Sequence, residues 1–117
     1  MPDRAAGARA IAMPTLEASP AAATILRSVR GARRGRLTIT IDGGRCDGTA
    51  PHLYEDYVLP AGAEMIGRVE GIPVYIPGAL VEQYRDARVT LDLVEDPISD
   101  ALSLETEHGV RLVVRFV

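Results

Sequence analysis

The chain has 117 residues, 47% of them hydrophobic and 25% charged, with a formal net charge of −3. Those totals fit one globular domain, exclude wholesale disorder and give no reason to expect a nucleic acid or other polyanion as partner. With four Tyr, one Phe and no Trp, the core must be aliphatic. All thirteen basic residues are Arg, a bias expected of a GC-rich bacterial genome and not of any function. A single cysteine excludes an internal disulfide. No stretch reaches the ~20 apolar residues of a membrane span, and the N-terminal segment lacks the ~7–15-residue apolar core of a signal peptide. The expectation is a soluble, cytoplasmic protein without membrane partners.

Residues 1 to about 18, rich in Ala, Pro and Gly and without periodicity, read as a flexible leader, with one domain over 19–117. Ser19-Pro20 predicts a helix start, Ser as N-cap and Pro where its missing N–H has no partner to lose. Ala22, Ile25, Leu26 and Val29 then repeat at helical spacing, and Gly31 or Gly35 ends the helix. Arg27, Arg30, Arg33, Arg34 and Arg36 crowd its C-terminal end. Two readings exist: cations complementing the helix dipole, or a phosphate or nucleic-acid patch. The first is preferred, because no aromatics interleave with the arginines and the whole chain is acidic.

Leu37-Thr38-Ile39-Thr40-Ile41 alternates as a half-buried strand. A glycine-rich loop follows, and Leu53–Leu59 is expected to return as a second strand. Met65–Val69 and Ile72–Ile76 flank Glu70-Gly71 as a hairpin, with Pro73 at an edge or bulge. Ala79–Arg85 reads as a short helix with Leu80, Val81 and Tyr84 inward. Val89, Leu91 and Leu93 mark another strand. After Pro97 a final hairpin is expected, with arms Leu102–Thr106 and Val110–Val117. In the last arm Val110, Leu112, Val114 and Phe116 share one face, leaving Arg111 and Arg115 on the other. The sum is an α+β fold of short, mostly antiparallel strands with one N-terminal and one short helix.

The chemistry concentrates in the loop Asp42-Gly43-Gly44-Arg45-Cys46-Asp47-Gly48-Thr49-Ala50-Pro51-His52. Cys46 has three readings: an inert small hydrophobe, a metal ligand, or a thiolate with a pKa lowered by the adjacent Arg45. Its nearest helpers are Asp47, His52 and, through the fold, His108. A thiolate, an imidazole and a carboxylate suit zinc or ferrous iron. The plain reading of Asp42 and Asp47 is turn chemistry, and of His108 a surface turn residue. Tyr57 and Tyr75 read as sheet positions, while Tyr54 stands close enough to the loop to be a site residue. Backbone N–H groups around Gly43, Gly44 and Gly48 could form an anion nest, although a P-loop motif is impossible without Lys. A Cys–His pair would also need an orienting third group for nucleophilic catalysis, and a chain this short has little volume left for a substrate pocket.

The order helix, strand, Gly-Gly-x-Cys-x-Gly loop, hairpin with Gly-Ile-Pro-Val-Tyr-Ile, short helix and Leu-Asp-Leu-Val-Glu resembles the HesB-like fold of the A-type iron–sulfur carriers. The sequence Leu37–Gly44 followed by Cys46-Asp47-Gly48 more closely resembles a bacterial family known as domain of unknown function 779. That resemblance implies the HesB-like fold, a tie to aldehyde or alcohol dehydrogenases and no established activity. A-type carriers also have a Cys-Gly-Cys near their end, where this chain reads Arg115-Phe116-Val117. The closer family often has a cysteine just before the one matching Cys46 and another near Leu53; here these positions are Arg45 and Leu53. An iron–sulfur cluster wants about four ligands, mostly thiolates, so one thiol per chain makes a cluster the disfavoured cofactor.

The expected function is therefore an accessory or binding protein, homo-oligomeric and metal-binding, serving a dehydrogenase or another metabolic enzyme. Its site comprises Cys46, Asp47 and His52 as metal ligands, with Gly43, Gly44 and Tyr54 around a cofactor. The alternatives are a small metal- or thiol-dependent enzyme using the same loop, and a purely structural interaction module.

Overall fold

The structure, a computed structural model, describes residues 14–42, 51–96 and 102–116. Gly43, Gly44, Cys46 and Asp47 lie outside these residues, as does Pro97.

Strand β1 (Thr15–Ala18) runs straight into helix α1 (Pro20–Ala32). Ser19 is the N-cap expected: its Oγ accepts from the Ala22 N–H at 3.1 Å, satisfying one of the helix's orphan donors. The same hydroxyl donates to Asp92 Oδ1 at 2.8 Å, fastening the helix start to a strand 73 residues away. Ala22, Ala23, Leu26 and Val29 form the buried face.

Strands β2 (Leu37–Ile41), β3 (Pro51–Glu55), β4 (Ala63–Val69) and β5 (Ile72–Pro77) build a sheet in the order β3-β2-β5-β4. A 3-10 turn (Gly78–Leu80) and the short helix α2 (Val81–Tyr84) then lead to β6 (Arg88–Glu95). A 3-10 helix (Leu104–His108) precedes β7 (Val110–Phe116). The second sheet has the order β1-β6-β7. Three of the five strand pairings are antiparallel, and β1–β6 and β2–β5 are parallel. This is the α+β, mostly antiparallel architecture that the alternating segments predict.

Between the sheets and α1 lies an aliphatic core of Leu26, Val29, Ile39, Ile41, Leu53, Ile72, Val74, Ile76, Leu91 and Leu112. Period-two alternation in β2 and β5 sends these side chains inward. Thr38, Thr40 and Tyr75 belong to the opposite face, which is where both clefts described below lie.

Several expectations change. Thr15–Ala18, read as leader, pairs in parallel with Arg88–Leu91. The predicted strand 53–59 instead occupies Pro51–Glu55. It stops at Asp56, whose φ of 53° is left-handed and whose Oδ1 accepts from the Arg36 N–H at 3.0 Å. Pro73 is not on an edge, because β5 has neighbours on both sides. It sits just before the short parallel ladder with β2 begins at Ile39–Val74, and the irregularity falls across from β5, on β4 between Met65 and Gly67. The arm expected at 102–106 is not a strand but the start of the 3-10 helix, which Gly109 closes with a left-handed φ of 71°.

Candidate functional site

The strands on either side of residues 43–50 form a tight antiparallel pair. Ile41 lies opposite Pro51 and Thr40 opposite His52 in the β2–β3 ladder. The same register sets Tyr54 opposite Thr38. Since Ile39, Ile41 and Leu53 are the inward residues, His52 and Tyr54 stand on the outer face of the sheet beside Asp42.

Three rings line up there. His52 and Tyr54 stack with centroids 5.8 Å apart and planes within 6°. Tyr54 and Tyr57 stack at 4.3 Å and 13°. Burial is the main reason the Tyr54 phenol is raised above its usual pKa, and the neighbouring Tyr57, Asp42 and Glu105 add to the shift while Arg111 opposes it. Next to this column a cavity of about 440 Å³ is lined by Thr40, Asp42, Tyr54, Tyr57 and Tyr75 with the 59–63 and 76–79 segments. The small chain therefore does leave room for a ligand, contrary to the expectation from its length.

Against Pro51 and Leu53 lies a polar network that the sequence does not reveal. Arg111, expected on the solvent face, is buried and ion-paired with the fully buried Glu105. Arg111 Nη2 also donates to the Pro51 carbonyl at 3.1 Å. Glu105 Oε2 accepts from the Leu112 N–H at 3.0 Å, and Glu105 Oε1 accepts from Ser103 Oγ. Ser103 Oγ in turn accepts from the Leu53 N–H at 2.8 Å. The network thus grips both Pro51 and Leu53, at the start of β3. Strict alternation along β7 gives Arg111 and Arg115 the same environment, so nothing local distinguishes them.

Of the expected site residues within the described segments, His52 and Tyr54 are brought together, and Tyr57 and Tyr75 join them. His108 ends the 3-10 helix as an exposed residue, as its turn position predicts. Among the described residues there is no group of three or more His, Cys, Asp or Glu side chains placed to hold a metal. None of their helices is long and apolar enough to cross a membrane.

The arginines near the end of α1 do more than face a dipole. Arg27 pairs with Glu70 at 3.0 Å, Arg30 donates to the Glu70 carbonyl, and Arg33 bridges Glu55 and Glu107. Arg30, Arg33, Arg36 and Arg68 line a second cleft of about 670 Å³.

Residues 25–117 match the family described as a domain of unknown function (DUF779). No curated protein matches the chain. Among solved structures it is similar to Escherichia coli SufA, described as involved in biosynthesis of iron-sulfur clusters. The identity is 15%, the match covers 91% of this chain and 87% of that one, and the TM-score is 0.47.

Proposed function

Because the chain belongs to the DUF779 family, whose description names no activity, we propose from its chemistry that it is a binding protein, not a catalyst. Its ligand site is the outer face of the β3-β2-β5-β4 sheet at the roots of the 43–50 loop. The observation that carries this reading is the stacking of His52 and Tyr54, two apart on β3 and so on one face, next to Asp42 and an open cavity. Cys46 and Asp47 belong to the loop between those roots. A thiolate, an imidazole and a carboxylate form a donor set suited to zinc or ferrous iron. Cys46, Asp47 and His52 would hold the ion, Gly43 and Gly44 would allow close backbone approach, and Tyr54 would buttress the imidazole. An iron–sulfur cluster does not fit a single chain, since it takes about four mostly thiolate ligands and the chain has one cysteine.

The partner implied by resemblance is an aldehyde or alcohol dehydrogenase, with this protein in the cytoplasm as its accessory. Edge strands β1, β3, β4 and β7 offer unpaired backbone for a homo-oligomer. A second reading, a small metal- or thiol-dependent enzyme, draws its support from the cavity beside Asp42 and Tyr54, which has the volume of a small-molecule site.

Metal analysis of untagged protein tests the first reading. About one equivalent of zinc or iron is expected, lost in Cys46→Ser and reduced in His52→Ala. Metal-free protein that also fails to take up added zinc or ferrous iron would overturn it. Turnover of a small aldehyde that vanishes in Cys46→Ala with the fold intact would favour the second.

A further inference from the structure

The cleft of about 670 Å³ between the end of α1, the β4–β5 turn and the 56–59 segment is distinct in chemistry from the loop site. Four arginines and one carboxylate, Asp56, line it, in a chain whose net charge is −3. Arg33 is neutralised by Glu55 and Glu107. Arg30 and Arg68 donate to the backbone carbonyls of Glu70 and Gly71, contacts that orient a guanidinium without cancelling its charge. Among the described residues, the Arg36 guanidinium has no carboxylate partner at ion-pair distance. Its backbone N–H, and not its side chain, bonds Asp56.

The turn is shaped around one of these cations. A Cβ at Gly71 would sit 2.7 Å from Arg30 Nη1, and the φ of +77° there is one that glycine adopts readily. The same cleft has apolar lining: Tyr57, Leu59 and Tyr75 line it and the 440 Å³ cavity alike. Guanidinium forks match the oxygens of a phosphate, and aromatic faces match a planar ring. The volume lies within the range of sites for small molecules.

We propose that this cleft binds a small phosphorylated molecule with a planar ring, its phosphates held by Arg30, Arg36 and Arg68 and its ring laid against Tyr57 and Tyr75. The site shares no ligating residue with the metal reading, so either can fail alone. A long polyanion is disfavoured by the acidic chain around the cleft.

Calorimetric titration of the full chain with ADP, adenosine and inorganic pyrophosphate tests this. ADP is expected to bind more tightly than adenosine or pyrophosphate, and more weakly as salt rises. Arg36→Glu and Arg68→Glu together should weaken ADP binding by roughly a hundredfold, about tenfold for each charge-assisted contact. Arg85→Glu with Arg88→Glu, which makes the same change in net charge elsewhere, should bind as the parent does. Absence of ADP and pyrophosphate binding at millimolar concentration would overturn the proposal. So would equal losses in both double variants, or tighter binding of a random-sequence oligonucleotide than of ADP. Matching thermal midpoints for the parent and the Arg36/Arg68 variant would show that the loss reports binding and not unfolding.

Discussion

Arg111 donates to Glu105 in the interior, where their side chains are 4% and 0% exposed. Such a pair is held by the further bonds that satisfy it, here from Ser103, Leu112 and Pro51. Removing one member of such a buried pair costs about 3–5 kcal/mol. Glu105→Ala or Arg111→Ala should therefore lower stability by that amount in urea unfolding followed by circular dichroism. Glu105→Leu combined with Arg111→Met should cost less than the two alanine variants summed. Simple additivity would mean that the two charges do not rely on each other.

Asp92 is held below its usual pKa, first by the Ser19 hydroxyl, then by the Leu93 N–H and Arg115. A carboxylate depressed in the folded state stabilises above its unfolded pKa, and that contribution disappears as pH falls through the folded value. Asp92→Asn should thus be less stable than the parent at neutral pH. The difference should shrink as pH falls from about 4 through the depressed folded value. Ser19→Ala removes the N-cap as well and should cost about 1 kcal/mol, measured as a shift in denaturant midpoint at pH 7. A gap between parent and Asp92→Asn that does not change with pH would contradict the assignment.

Burial raises the Tyr54 and Tyr84 phenols. Their contribution to stability is complete below the ordinary tyrosine pKa near 10 and is lost as pH rises through the higher folded values. Ultraviolet titration should resolve a late-ionising class of tyrosines, reduced by one in Tyr54→Phe. A single ionisation step for all tyrosines in the folded protein would refute this.

Gly67 has a φ of +152°, and a Cβ there would lie 2.8 Å from Leu16 Cδ1. The glycine thus lets β1 lie against β4, linking the two sheets. Gly67→Ala should cost about 1–3 kcal/mol in backbone strain, and Leu16→Ala should also destabilise the protein by losing apolar burial. A neutral Leu16→Ala would mean that β1 contributes nothing to the fold.

What the sequence makes legible is local. Ser19-Pro20 opens α1 as its capping chemistry requires, and Leu37–Ile41 is a strand as its alternation requires. Glu70-Gly71 turns the β4–β5 hairpin, with both residues at positive φ, 51° and 77°. The failures are long-range. Thr15–Ala18 becomes a strand only because Arg88–Leu91 is there to pair with it. The 3-10 helix draws Glu105 inward to meet Arg111, a match invisible to a period-two reading of β7. In the candidate site, His52 and Tyr54 could be picked out by their distance from the loop. Tyr57 and Tyr75 could not, because the first is delivered by the bend at Asp56 and the second by a parallel pairing across the sheet.

The placement of the aromatics has a practical outcome. With no tryptophan in the chain, ultraviolet emission comes from four tyrosines. Three of them, Tyr54, Tyr57 and Tyr75, line the two clefts, and Tyr57 and Tyr75 are shared by both. The protein carries its own optical reporter: intrinsic tyrosine fluorescence should respond to whatever enters either cleft, with no label attached.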